Sequence, residues 1–137
     1  MNPEQYQAPQ GYQHWDGDNF EDLIGPFFFR MAGDIAETVF RVQTKNCNGQ
    51  NIVHGGALMT FADYTLCIAA TQGGKEPVVT VTCNNEFIGA ANEGDLVRGR
   101  GEVIRRGGSL IFTRVVLTVN EATVLTASAV VKRLRKP

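Results

Sequence analysis

The segment Asn48–Thr71, NGQNIVHGGALMTFADYTLCIAAT, decides how the rest of the chain is read. From Gly55 onward it carries Ala57, Leu58, Met59, Phe61, Ala62, Tyr64, Leu66, Cys67, Ile68, Ala69 and Ala70. Those positions leave no continuous polar face, and a helix that is apolar all round is a buried one. Asp63 interrupts it. An ionised carboxylate in such a place is costly unless it is paired, hydrated or put to use. The helix opens at Gly55-Gly56, where no side chain blocks a close approach. The first N–H groups of a helix lack internal partners and sit at the positive end of its dipole. A carbonyl oxygen arriving there would meet an oxyanion site. Asp63 lies about 12 Å further along the axis, at ~1.5 Å rise per residue. One small reacting carbonyl cannot touch both ends of that span. The two parts meet only where a second copy of the helix packs antiparallel, so the segment predicts a two-fold dimer with composite sites.

Around this helix the chain alternates turn and strand material. Asp16 or Asp18 can cap a short helix from Phe20, stopped by Gly25-Pro26. Phe27–Met31 and Glu37–Gln43 read as strands around the turn Ala32-Gly-Asp, and a loop over Thr44–Val53 feeds the buried helix, which Gly73-Gly74 ends. Strands then follow over Val78–Phe87, Leu96–Arg105, Leu110–Asn120 and Val124–Leu134. In the third of these, Ile111, Thr113, Val115, Leu117 and Val119 form the more apolar set and are expected to face the helix. One long apolar helix with six strands and no parallel alternation implies an α+β architecture, a curved antiparallel sheet wrapped around one long central α-helix. Residues 1–18 read as an N-terminal tail or arm and residues 19–137 as a single domain.

The chain has 137 residues, 43% of them apolar, enough to bury one core, and a net charge of −1, which suggests neither nucleic acid nor a membrane as partner. Seven acidic side chains fall within residues 1–40 against Arg30 alone, and nine basic ones within residues 98–137 against Glu102 and Glu121. That asymmetry reads as surfaces facing each other in an oligomer, as plain solvation, or as a basic rim for a phosphorylated ligand. Cys47, Cys67 and Cys83 form neither a disulfide framework nor a metal-ligand spacing, and no metal is expected. With no leader pattern and no apolar run of ~18 residues, the expected location is the cytoplasm.

The pattern Asn48-x5-His54-Gly55-Gly56-x6-Asp63, followed by a strand meander, resembles the hotdog-fold thioesterases of the phenylacetate-pathway (PaaI) type. The likeness extends to Gly25-Pro26-Phe27-Phe28, Asn84-x2-Phe87, Gly94-Asp95 and Arg105-Arg106-Gly107-Gly108-Ser109-Leu110. It implies a hotdog fold and hydrolysis of acyl-coenzyme A thioesters in a site shared between two subunits of a homodimer, with a dimer of dimers as the larger assembly. No cofactor is implied, coenzyme A being part of the substrate. By the same resemblance Asp63 would act as general base or orient the attacking water. The N–H of Gly55 or Gly56 would polarise the carbonyl, Gly55 being the closer match. Asn48 would hold the water or carbonyl from the other side, and Thr80 would help position the water. Arg105 and Arg106 would suit coenzyme A phosphates, though solvated hairpin charges are the commoner case. Three positions depart from the pattern. Asn51 stands where relatives often have Gly, and Gly89 where they are often basic. Asn85 falls, by strict alternation, on the face of Val79, Val81, Cys83 and Phe87, where an apolar residue is usual.

His54 is read first as a structural cap of the loop and second as a substrate-binding or catalytic group. Cys47 is read as a partly buried thiol, and Ser109 and Ser128 lack a nucleophile-elbow context. Phe61, Tyr64 and Met59 are candidate walls for an apolar acyl pocket, although residues so spaced are more often core. Two other classes stay open: a non-catalytic binder of acyl-coenzyme A or acyl carrier protein, and a hotdog hydratase or dehydratase, for which His14 and His54 offer no obvious pair. Acyl-group preference and the choice between base and nucleophile for Asp63 are not legible in the sequence.

Overall fold

The computed structural model describes residues 1–134. Its core is the predicted helix, labelled α2 and running Gly55–Thr71, with a shorter helix α1 at Asn19–Ile24. The strands are β1 (Gln13–His14), β2 (Phe27–Ala32), β3 (Ile35–Arg41), β4 (Val78–Phe87), β5 (Leu96–Arg106), β6 (Leu110–Val119) and β7 (Ala122–Arg133). They form one antiparallel sheet in the order β1-β2-β3-β5-β6-β7-β4, so the strand that follows α2 lies at the far edge. This is the hotdog arrangement. Among the described residues, no helix is long and apolar enough to cross a membrane.

The helix ends are set locally. His54 is extended and its side chain accepts from the Gly56 N–H, while Gln72 and Gly73 take left-handed backbone and close the last turn onto Ala69 and Ile68. The stop therefore comes one residue before the predicted Gly73-Gly74. Gln72 itself adopts the left-handed conformation that Gly usually supplies. Asp18, one of the two predicted caps, accepts from the Glu21 N–H at 2.9 Å and starts α1.

Close approach of α2 to the sheet depends on two glycines of β5. A Cβ at Gly101 would lie 3.0 Å from the Thr65 carbonyl oxygen and 3.2 Å from the Ala69 methyl. At Gly99 it would collide with the Thr38 hydroxyl. That space lets Thr38 and Thr65, both buried, share a hydrogen bond of 2.8 Å. Ile111, Thr113, Val115 and Leu117 of β6 are buried against this side, as the alternation predicts. At the other end of the helix Phe27, Phe40 and Phe61 stack within ring-centroid separations of 5.1–5.5 Å. Phe61 is thus plain core and not a pocket wall.

Residues 1–14 lie on their own sheet. β1 pairs with β2, Tyr12 packs with Phe28 and Val39, and Arg41 donates to the carbonyls of Tyr6, Gln7 and Gly94. His14 lies between Asp16 at 2.9 Å and Asp22 at 2.6 Å and so ties this arm to α1.

Candidate active site

A cavity of about 540 Å³ opens between α2, β4 and the segment leading into α1. Asp63, Cys67 and Thr80 line one wall, Trp15, Asp18 and Glu21 another. The Thr80 hydroxyl donates to Asp63 Oδ1 at 2.6 Å. Its position depends on an irregularity. β4 slips by one residue against β7 between Thr80 and Thr82, the signature of a β-bulge. Strict alternation therefore fails. Val78 and Thr80 face inward before the slip, Cys83 and Asn85 after it, and Val79 and Val81 turn out to solvent. The predicted shared face of Asn85 with Val79 and Val81 is corrected accordingly. Asn85 does point inward: its amide lies 3.5 Å from the Cys83 sulfur, and its Oδ1 is buried without a partner among the described residues.

Burial raises the Asp63 carboxyl above the usual carboxylate range, the Thr80 hydrogen bond pulls it back, and the charge of Asp18 adds to the rise. Glu21 is raised to about 8, chiefly by burial and then by the charges of Asp18, Asp63 and Asp22. Cys67 beside Asp63 is pushed up to about 12 by burial and by that carboxylate, so it is an inert thiol and not a nucleophile. Among the described residues no group of three His, Cys, Asp or Glu side chains is arranged to hold a metal ion.

The glycine pair at the start of α2 is divided in role. The Gly56 N–H is engaged by His54 Nδ1 at 2.9 Å, which fits the capping role read for His54 and removes Gly56 as a free donor. Gly55, the first helical residue, has no acceptor for its N–H among the described residues, and the edge of the Phe87 ring covers it. Asn48 holds the preceding loop, its Oδ1 accepting from the N–H groups of Gln50 and Ile52. Asn51 takes the left-handed conformation expected of a Gly substitute. Asp63 and Gly55 of one chain stand on the same helix, about 12 Å apart along its axis, and do not converge. The hairpin arginines do not line the cavity: Arg106 donates to the Ala70 carbonyl in the last turn of α2, and Arg105 is exposed beside it.

The sequence of residues 50–126 matches the profile of the thioesterase superfamily. The chain belongs to the thioesterase superfamily. Among relatives, the Pseudomonas aeruginosa protein PA0474, classed by name as an esterase, is 33% identical over 90% of this chain and 95% of its own length. Acyl-coenzyme A thioesterase 13 of Homo sapiens is 31% identical over 77% of this chain and 76% of its own. Membership makes this protein a thioester hydrolase. Among solved structures, the Escherichia coli PaaI protein of the phenylacetic acid degradation operon superposes with a TM-score of 0.80, covering 88% of this chain and 87% of that one at 20% identity. The Thermus thermophilus protein TT0310 gives 0.77 over 86% and 99% at 23% identity. These two likenesses concern the fold.

Three lining residues of this thioesterase escaped the sequence reading as site residues: Trp15, Asp18 and Glu21. The acidic run before residue 40 was the signal for Asp18 and Glu21, and a charge run is usually solvated; Trp15 carried none. Lys75 also lines the cavity, its ammonium 5.3 Å from the centroid of the Trp15 ring.

Proposed function

We propose that this chain is an acyl-coenzyme A thioesterase in which Asp63 activates water and the Gly55 N–H of a second copy receives the developing oxyanion. The observation that carries the reading is the half-buried Asp63 carboxylate, hydrogen-bonded by Thr80 at the wall of a 540 Å³ cavity. Coenzyme A as the thiol moiety is supported by the human relative's name. A water at Asp63 gives its proton to the carboxylate as its oxygen bonds to the thioester carbon. The carbonyl electron pair moves to oxygen, where the Gly55 N–H and the helix dipole stabilise it. Its return breaks the carbon–sulfur bond, the protonated Asp63 passes its proton to the departing sulfur and is ionised again, and the thiol and the acid leave the cavity.

The dimer is supported by the edge of the sheet. β4 has a free side, and Val79, Val81, Phe87 and the adjoining Ile88 are exposed along it. A long apolar edge of this kind is an association surface unless something covers it. A second β4, related by a two-fold axis, pairs antiparallel and brings the two α2 helices head to tail. The hydratase reading loses ground here, because His54 caps α2 and His14 ties down the arm.

Mixing two inactive variants tests the shared site. A dimer of one Asp63→Asn chain and one Gly55→Pro chain contains one intact site of two, so mixed dimers should recover about half of wild-type thiol release. Absence of recovery, with subunit exchange shown by mass spectrometry, would eliminate the composite arrangement.

A further inference from the structure

We propose that His14 is a positioning residue for this site: by bridging Asp16 and Asp22 it holds Trp15 and the first turn of α1 in place as a wall of the Asp63 cavity, and so sets how tightly substrate is bound. The inference rests on the thioesterase reading above and deepens it with a residue of the N-terminal arm, outside the residues 50–126 that match the superfamily profile.

The wall comes from one short segment, in which Trp15, Asp18 and Glu21 line the cavity. The helix in that segment cannot hold itself. α1 has six residues, none of them buried, and Phe20 and Leu23 lie in solvent at 61% and 67% exposure. A helix of this length needs external ties to keep its place, and its ties are uneven. The C-terminal end is moored by Lys45 Nζ, Asn46 Nδ2 and Gln43 Nε2, which donate to the carbonyls of Leu23, Ile24 and Gly25 at 2.7, 2.7 and 3.0 Å. Towards the other end, His14 Nε2 lies 2.6 Å from Asp22 Oδ1. Among the described residues this is the only side-chain hydrogen bond that joins residues 17–22 to the rest of the chain. The His14 ring is itself fixed. Its side chain is 9% exposed, it meets the Phe28 ring edgewise at a centroid separation of 6.2 Å, its backbone pairs with Phe28 in the β1–β2 ladder, and Nδ1 lies 2.9 Å from Asp16 Oδ1. Trp15 follows directly, tilted against Phe29 and facing the Lys75 ammonium. One imidazole therefore clasps the free turn of α1 to a strand anchored in the sheet, with Trp15 beside it.

Release of the clasp has a defined consequence at Asp63. Burial and then the charge of Asp18 raise that carboxyl. The other ionisable groups at the cavity are Glu21 from α1, Tyr64 and Cys67 from α2, and Lys75 and Glu76 from the link to β4, Glu76 being paired with Arg133. With α1 swung away, water reaches Asp63 and Asp18 recedes, so the Asp63 pKa falls. Thr80, on β4, keeps its hydrogen bond to Asp63. The substrate loses the surface of Trp15 at the same time, which weakens binding and leaves the reacting groups in place.

Hydrolysis of hexanoyl-coenzyme A and the fluorescence of Trp15, the one tryptophan in the sequence, test this together. His14→Leu and Asp22→Leu cut the clasp from either side, and Asp22→Asn removes the same charge while keeping an acceptor for His14. The two leucine variants should each raise KM at least about tenfold with kcat within about threefold of wild type, a pocket contact of methylene size being worth ~10–200-fold. KM does not depend on the fraction of enzyme that is folded. In both, the acidic limb of the kcat/KM profile should move to lower pH and Trp15 emission should shift to the red, whereas Asp22→Asn should keep the wild-type KM, limb and emission. The double variant His14→Leu/Asp22→Leu should be no worse than either alone, since the two residues act through one bond. An unchanged KM in Asp22→Leu, or equal increases in Asp22→Leu and Asp22→Asn, overturns the clasp. If the wild type releases no thiol, the thioesterase reading is what fails. Titration with hexanoyl-coenzyme A followed by Trp15 emission then decides the clasp, equal Kd values for wild type and Asp22→Leu, or no binding, refuting it.

Discussion

Replacing Gly55 by proline deletes one atom's worth of chemistry from this site. Gly55 is the first helical residue, and its N–H makes no hydrogen bond among the described residues. Proline is well tolerated at that position because the missing N–H is unpaired anyway. The preceding residue suits it too: His54 has φ −66° and ψ 136°, within the extended region that a following proline demands. The new Cβ would lie 3.1 Å from the Phe87 ring edge, which would have to give by a few tenths of an ångström. Gly55→Ala adds that same Cβ and keeps the N–H, so the Pro-to-Ala ratio isolates the donor. Loss of one oxyanion-hole donor costs ~10²–10³ in kcat. Gly55→Pro should therefore turn over an acyl-coenzyme A thioester ~10²–10³ more slowly than Gly55→Ala in a thiol-release assay. Its urea midpoint should not fall below that of Gly55→Ala, since proline also restricts the unfolded chain. Equal kcat values for the two variants would refute the oxyanion role of Gly55. A large loss in both would place the effect on Phe87 instead.

Thr80→Val should shift the acidic limb of the pH–rate profile. In the proposed mechanism ionised Asp63 is the active form, and the Thr80 hydroxyl at 2.6 Å favours it. Without that donor the pKa rises further and the limb moves to higher pH, by about one unit for a charge-assisted bond of ~1.5 kcal/mol. A limb that stays in place would exclude Asp63 as the titrating base. Glu21 predicts a stability effect of definite sign. The unfolded chain loses this proton near 4.5 and the folded one near 8, so the native state holds the extra proton between them and stability declines as pH rises through that window. Thermal unfolding of Glu21→Gln should show a visibly shallower decline from pH 5 to pH 8 than the wild type, and parallel curves would contradict it. His54→Ala should cost ~0.5–2 kcal/mol in urea unfolding through loss of the cap, with His54→Asn recovering most of it. A kcat that collapsed without loss of stability would make His54 a catalytic group.

Local chemistry carried the sequence reading furthest where an element answers to its own residues. Helix α2 matches its predicted limits because an unbroken apolar run between an extended His54 and a Gly-rich stop admits little else. Asp18 as a cap, Asn51 in a left-handed loop position and the inward face of β6 follow from the same short-range rules. Alternation failed at β4. A bulge depends on the partner strand β7 and leaves no mark in the β4 sequence, yet it decides that Thr80 and Asn85 share the helix side and that Val79 does not.

The sequence by itself determined the elements and the two chemical anchors, a lone acid in an apolar helix and a glycine pair at its start. Both are consequences of residue type and helical periodicity. Only the tertiary structure decided which side chains meet that acid. Thr80, Trp15 and Glu21 come from segments far apart in the chain, brought together by a sheet whose edge strand, β4, lies against the helix. Contacts of that kind depend on strand order and on a one-residue slip in register, and periodicity within a segment encodes neither.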